Sequence, residues 1–192
     1  MQNYITHLTN RIDLTEDQIK LICNHLTVKH FSKGDYLLEP GDYSSDFYFI
    51  EKGVLRSYTI DDNGKEHIIQ FGTENWLIGD RNSSLCKESA KFYIQAIEDT
   101  TVILVNDELN SLIQEMNPNY LNAQLILLQN HVRHLQDRIN SLLGATAKTR
   151  YLEFIKLYPT ILARVPQWMI ASYLGITPES LSRVRKDIAS NG

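Results

Sequence analysis

Apolar and polar positions repeat with different periods along this chain, and each period predicts a different kind of element. In the first 30 residues Ile19, Ile22 and Leu26 recur three and four apart behind Leu14-Thr15-Glu16-Asp17, which predicts short helices. From Phe31 to about Asn106 the texture changes to short runs of Tyr, Phe, Ile and Val. These are punctuated by Lys33-Gly34-Asp35, Pro40-Gly41-Asp42, Lys52-Gly53, Asp62-Asn63-Gly64, Gly72 and Gly79, the signature of an all-β domain. Asn63-Gly64 is the pair that accepts positive φ in a type I′ hairpin turn, between a strand ending near Ile60 and one starting near His67. Turn signals spaced roughly 8 to 12 residues apart favour a closed barrel or roll over an open sheet. Phe92, Ile94 and Ala96 alternate with Tyr93 and Gln95, and Val102 to Val105 predicts a more fully buried closing strand.

The most regular pattern begins after Asn117-Pro118, an N-cap residue followed by proline at the first helical position. Leu121, Leu125, Leu128, Val132, Leu135, Ile139 and Leu142 follow at spacings of 4, 3, 4, 3, 4 and 3. These are a and d positions of successive heptads, a narrow seam that wants another helix beside it. Gln129, His131, Gln136 and Arg138 make both edges polar, which favours a second copy over packing along the β domain of the same chain. Gly144 is expected to end the helix as a C-cap and to act as a hinge. Tyr151, Leu152, Ile155 and Tyr158 then mark a helix stopping at Pro159, and two short helices broken at Gly175 follow.

The segment Gln167 to Lys186 reads QWMIASYLGITPESLSRVRK and has the internal logic of a helix-turn-helix. Pro166 opens the first helix, and Ile170, Ala171 and Leu174 face inward. Gly175 supplies the positive φ of the sharp turn, Ile176 plugs the corner, and Leu181 and Val184 anchor the second helix. Thr177 can cap that helix, with Pro178 at its first position and Glu179 complementing its dipole. At about 100° per residue, Leu181, Val184 and Ile188 share one face and Glu179, Ser182, Arg183 and Lys186 the opposite one. A polar, basic outer face is what a recognition helix presents to the major groove; the alternative is a helical hairpin with a solvated charged face.

Charge sharpens this picture. The 192 residues carry a net charge of -4, which argues against nucleic acid until it is divided. Residues 1–130 hold 10 Lys+Arg against 19 Asp+Glu, a balance of -9, whereas residues 131–192 hold 9 against 4, a balance of +5. The basic third is the part suited to phosphate contact. With 43% hydrophobic and 22% charged residues the chain has the composition of a soluble globular protein, and no apolar stretch approaches the roughly 20 residues of a membrane span. The opening residues carry no apolar signal core, so no membrane partner and a cytoplasmic location are expected. Cys23 and Cys86 stand far apart, excluding an intrachain disulfide framework, and Cys23 is expected to be a buried apolar residue. For a metal-dependent β-roll enzyme, histidine is too sparse: the β domain after His30 offers only His67. His131 and His134, three apart, fall at the seam edge and outer surface of their helix. Without a Ser/His/Asp arrangement or Gly-rich nucleotide loop, no enzyme, no cofactor and no metal are expected.

The order of parts resembles the Crp-Fnr family of bacterial transcription regulators, which includes the cyclic-AMP receptor protein and the oxygen sensor FNR. The resemblance runs from about Phe31 to Ile188 and is most specific in KGDYLLEPGDYSSDFYFIEKGVLRSY and ASYLGITPESLSRVRK. It implies an α+β fold: N-terminal helices and a cyclic-nucleotide-binding-like β-roll sensor over residues 1–117, a dimerisation helix over 118–143, and a winged-helix-like helix-turn-helix domain over 144–192. The chain stops so soon after the recognition helix that no following wing strand is expected. The family's base-reading pattern Arg-Glu-(Thr/Ser)-x-x-Arg aligns with Pro178, Glu179, Ser180 and Arg183, so its first arginine is replaced and a different half-site is implied. Thr177, Glu179, Ser180, Ser182, Arg183 and Lys186 become the implied contacts of a homodimer with double-stranded DNA, and RNA polymerase is an implied partner. In cyclic-nucleotide-binding members a Gly-Glu holds the ribose and a downstream arginine neutralises the cyclic phosphate. Here Gly79-Asp80 takes the Gly-Glu place, and the place of the family's Arg-(Ser/Thr)-Ala falls to Ala90 and Lys91 or, with a two-residue gap, to Glu88, Ser89 and Ala90. Gly79, Asp80, Arg81 and Lys91 therefore outline an effector pocket that does not bind cyclic AMP tightly and serves a different small molecule or none. The iron-sulfur route of FNR-like members needs several N-terminal cysteines, and only Cys23 stands there. A module that signals through protein partners instead of DNA is the other reading.

Overall fold

A computed structural model describes residues 1–190. Helices α1 (Gln2–Thr9) and α2 (Glu16–His25) precede strands β1 (Thr27–Phe31), β2 (Tyr36–Leu38), β3 (Phe47–Lys52), β4 (Leu55–Ile60), β5 (Glu66–Gly72) and β6 (Leu77–Ile78). The single turn α3 (Arg81–Ser84) leads to β7 (Tyr93–Ala96) and β8 (Thr100–Val105). Then come α4 (Asp107–Met116), α5 (Tyr120–Gly144), α6 (Ala147–Leu157), a 3-10 turn (Ile161–Ala163), α7 (Gln167–Leu174) and α8 (Pro178–Ser190).

The strands form two four-stranded antiparallel sheets, in the orders β1-β8-β3-β6 and β2-β7-β4-β5, closed on each other as a roll. Strand β8 lies between β1 and β3, pairing Ile103 with Val28 on one side and with Phe49 on the other. It is thus a central strand, which explains its unbroken apolar run. The roll interior is filled by Tyr48, Ile50, Leu55, Ile94, Val102 and their neighbours, each worth about 1.5–3 kcal/mol on burial. Opposite faces of the two sheets carry separate cores. Phe49, Ile103 and Val105 pack under α1, α2, α4 and the start of α5, whereas Val54, Tyr58, Ile68 and Phe71 pack under the C-terminal helices.

Several local expectations are corrected. The β4–β5 turn is not type I′: Gly64 N–H donates to the Asp61 carbonyl, Gly64 alone takes positive φ at 78°, and the Asp61 carboxylate accepts from the Asn63 and Lys65 N–H groups. Asp61 does locally what a second left-handed residue was expected to do. A whole helix, α4, follows β8 where no helix was read; Asn106 caps it through the Leu109 N–H. Asn117 belongs to the junction instead of capping α5, which starts at Tyr120. Gly144 is the last residue of α5, and the chain leaves the helix at Ala145 in an extended conformation. Cys23 is only half-buried.

Candidate functional site

The helix-turn-helix forms as its residues predict. Gly175 ends α7 with φ 64° and ψ 36°, the left-handed corner that a Cβ would strain, and its N–H donates to Ser172 and Ala171 carbonyls. Thr177 Oγ1 accepts from Ser180 N–H at 3.2 Å and so caps α8, whose helix starts at Pro178. Leu181 is 1% exposed and anchors α8, with Ile176, Val184 and Ile188 partly buried around the same core. On the other side Thr177, Glu179, Ser182, Arg183 and Lys186 are exposed, while Ser180 is half-buried and turned toward Thr177 Oγ1 at 3.2 Å. The Glu179 carboxyl is held below the usual carboxylate range, first by its own backbone N–H and then by Thr177 and Arg183, so it is an ionised acceptor at neutral pH. Five of the six sequence-derived contact residues thus share one open surface. No strand follows α6 among the described residues.

How these helices are held was not read from the sequence. Helix α7 lies on β5: Ser172 Oγ donates to the Glu66 carbonyl at 2.9 Å and accepts from Ile68 N–H at 3.0 Å. Tyr158, 1% exposed, donates to the Phe71 carbonyl, and burial pushes its phenol well above the ordinary range. Arg164 forks onto Glu74 at 2.7 and 2.8 Å and onto Glu98 at 2.6 and 3.3 Å. Arg56, 5% exposed, pairs with Glu66 and Gln95 and lies 4.0 Å above the Tyr58 ring and 5.5 Å from that of Trp168.

Helix α5 leaves its seam bare. Leu121, Leu125, Leu128, Val132, Leu135, Ile139 and Leu142 are 37–58% exposed. His131 and His134, expected at the seam edge and outer surface, are instead half-buried toward the roll; the His134 ring stands edge-on to Trp76 at 6.3 Å. Burial lowers both imidazoles, with Arg81 and Arg138 adding to the effect. No group of metal-ligating residues occurs among the described residues.

In the roll, the phosphate-cassette position is built differently from a ribose site. Asp80 is fully buried, and its two oxygens accept from Asn82 and Ser83 N–H at 2.8 and 3.2 Å and from Lys91 and Phe92 N–H at 2.7 and 3.0 Å. Four donors occupy the four lone-pair directions of a carboxylate, so it ties α3 to the start of β7. Gly79 is needed for space, since a Cβ there would stand 2.6 Å from the Phe47 ring. Arg81 and the Lys91 side chain are exposed and point to no shared acceptor: Arg81 lies 5.6 Å from the Phe47 ring, and only the backbone of Lys91 meets Asp80.

Comparison with known proteins agrees with this arrangement. Residues 28–116 match the cyclic nucleotide-binding domain family. The transcriptional activator protein Anr of Pseudomonas aeruginosa is 28% identical over 171 residues, covering 83% of this chain and 69% of that protein. The fumarate and nitrate reduction regulatory protein of Yersinia pestis is 29% identical over 194 residues, covering 94% and 76%. Among solved structures, FixK2 from Bradyrhizobium japonicum shares the fold with a TM-score of 0.72 at 22% identity, over 87% of this chain and 86% of that one. The c-di-GMP-responsive regulator CLP of Xanthomonas campestris gives 0.69 at 13% identity, over 93% of each. No helix among the described residues is long and apolar enough to cross a membrane. Residues 28–116 thus carry a cyclic nucleotide-binding domain, and the roll, the long helix and the C-terminal helix-turn-helix joined in one chain are what this protein shares with the Anr and FNR transcription regulators of the Crp-Fnr family.

Proposed function

We propose that this chain is a cytoplasmic, homodimeric, sequence-specific DNA-binding transcription regulator and not an enzyme. The observation that carries the reading is the division of α8, with Leu181 fully buried and Glu179, Ser182, Arg183 and Lys186 open to solvent in the basic third of the chain. Arg183 offers a fork to guanine O6/N7 and Glu179 an acceptor for cytosine N4, while Thr177, Ser180 and Lys186 serve the backbone. The bare α5 seam supports a parallel pairing that sets two such helices about 34 Å apart, one turn of duplex. RNA polymerase is the further partner of such a regulator. Saturation of Asp80 by backbone donors supports a roll that does not hold cyclic AMP, because no acceptor remains for a ribose hydroxyl.

The test is selection of bound duplexes from a random pool, followed by Arg183→Ala on the selected site. We expect a two-part site whose halves are one helical turn apart, a loss of about 1–3 kcal/mol, and relaxed preference at one base pair of each half. Lys186→Ala should weaken all sequences alike and lower the salt dependence. Failure to enrich any sequence would favour a module that signals through protein partners.

A further inference from the structure

Between α5 and the outer face of the β1-β8-β3-β6 sheet runs a groove of about 760 Å³, inside the range of roughly 300–1,000 Å³ typical of small-molecule sites. It lies outside the roll, on the side opposite the packed interior where Tyr48, Ile50 and Ile94 meet. Its apolar lining is Phe47, Trp76 and Leu77 from the roll and Leu85 beyond α3, interleaved with neutral amides such as Asn75, Gln114 and Asn130. Its outer lip is formed by Leu121, Leu125 and Leu128, where a second α5 would close it.

Its charge is one-sided. The lining includes Arg11, Arg81, His7, His131 and His134 and not one Asp or Glu, although residues 1–130 carry 19 acidic side chains. Arg81 has no hydrogen-bonded acceptor among the described residues and rests only against the Phe47 ring. Arg11 donates to the His7 carbonyl and meets no carboxylate among the described residues. His7, lowered to about 4 by burial and Arg11, is neutral at pH 7, and His131 is lowered by burial, Arg81 and His134. Two uncompensated guanidiniums flanked by neutral imidazoles thus overlook an apolar trough. A neutral ligand leaves those charges unmatched, and a cation is repelled. An anion with an apolar body matches both walls and charge.

We propose that this groove binds an apolar carboxylate, its hydrocarbon body against Trp76, Leu77 and Leu125 and its carboxylate on Arg81 beside His131. The site is independent of the DNA reading, and its test uses no DNA. Trp76 and Trp168 are the two indoles of the chain, so a Trp168→Phe background leaves Trp76 as reporter. Titration of the full chain with decanoate should change Trp76 emission saturably. Arg81→Gln should weaken decanoate by about tenfold or more through loss of the charge-assisted pair. Decanol and decyltrimethylammonium at the same concentrations should neither saturate nor displace it. Sedimentation of the decanoate-saturated chain should leave its mass unchanged. Decanol binding as tightly as decanoate would reduce the groove to a greasy surface and overturn the proposal. So would unchanged affinity in Arg81→Gln, an unsaturable response, or a fall in mass showing that decanoate displaces a second copy from this seat.

Discussion

The long helix α5 has two stripes with the same spacing and opposite fates. One, from Leu121 to Leu142, is wholly aliphatic and stays 37–58% exposed. The other, Tyr120, Gln124, Leu127, His131, His134, Arg138 and Ser141, repeats at three and four residues too, is largely polar, and is turned inward. Its members are held one by one: Tyr120 Oη donates to Asn110 at 2.7 Å, His134 stands against Trp76, and Arg138 Nη2 donates to the Ile68 and Tyr173 carbonyls at 3.2 and 3.0 Å. Polar side chains therefore attach the helix to its own domain, and the aliphatic ones are left over. An aliphatic face left largely open to water along seven positions by the described residues is one that a second copy would cover.

Breaking the aliphatic stripe should have the largest effect. With Asp at both Leu135 and Ile139, a dimer would bury four carboxylates in its seam, a penalty on the order of 4 kcal/mol or more. We expect sedimentation to give half the wild-type mass, while the melting temperature of the separated chain changes little because both positions are exposed. An unchanged mass would remove the seam from the interface.

The polar stripe is tested by Arg138→Ala. The guanidinium lies 3.6 Å over the Tyr173 ring in addition to its two carbonyl contacts, so it links α5, β5 and α7 at one point. Charge-assisted bonds and a partly desolvated cation–π contact together are worth about 2–3 kcal/mol. Denaturant unfolding should report that loss at unchanged mass, the reverse of the seam variant. A loss of mass instead would mean that the two stripes are not separate in function.

These two stripes also show how far the sequence could be read. The seam, the α8 faces and the Gly175 turn rest on apolar period and on a residue type that one backbone conformation demands. Both are local and visible in the string. Helix α4 was missed although Asp107 and Glu108 follow a capping asparagine, because Leu109, Leu112 and Ile113 offer too short an apolar period to separate from the end of the β domain. Asp80 had a legible place and an illegible task. Alignment set it as a shortened ribose ligand, whereas only the fold brings Lys91 and Phe92 N–H to its second oxygen. His131 and His134 were read by their distance from the seam, which says where a side chain does not point and nothing of the domain behind it. The docking of the C-terminal helices on β5 is likewise a matter of chain tracing: Ser172 lies 104 residues from its partner Ile68.

The smallest effect concerns how that docking is secured away from α5. Arg164, in the segment before α7, bridges Glu74 and Glu98 of the roll. Its guanidinium holds the Glu74 carboxyl at about 2, against an ordinary value of 4.5, assisted by the Gly53 N–H. Depression of a carboxylate in the folded state stabilises the chain above the unfolded value of about 4.3, and this contribution is lost as pH falls toward 2. Because Glu74 and Glu98 are about a third exposed, solvent screens the pair, and Glu74→Gln should cost only about 1 kcal/mol at pH 7. The measurement is the difference in unfolding free energy between wild type and Glu74→Gln across pH. It should be constant from pH 7 to about 5 and shrink below that, as the wild-type carboxylate takes up its proton. A difference that stayed level down to pH 3 would mean that the clamp acts through shape alone. A difference near zero at pH 7 would leave the polar stripe of α5 and the Ser172 contacts to secure the docking.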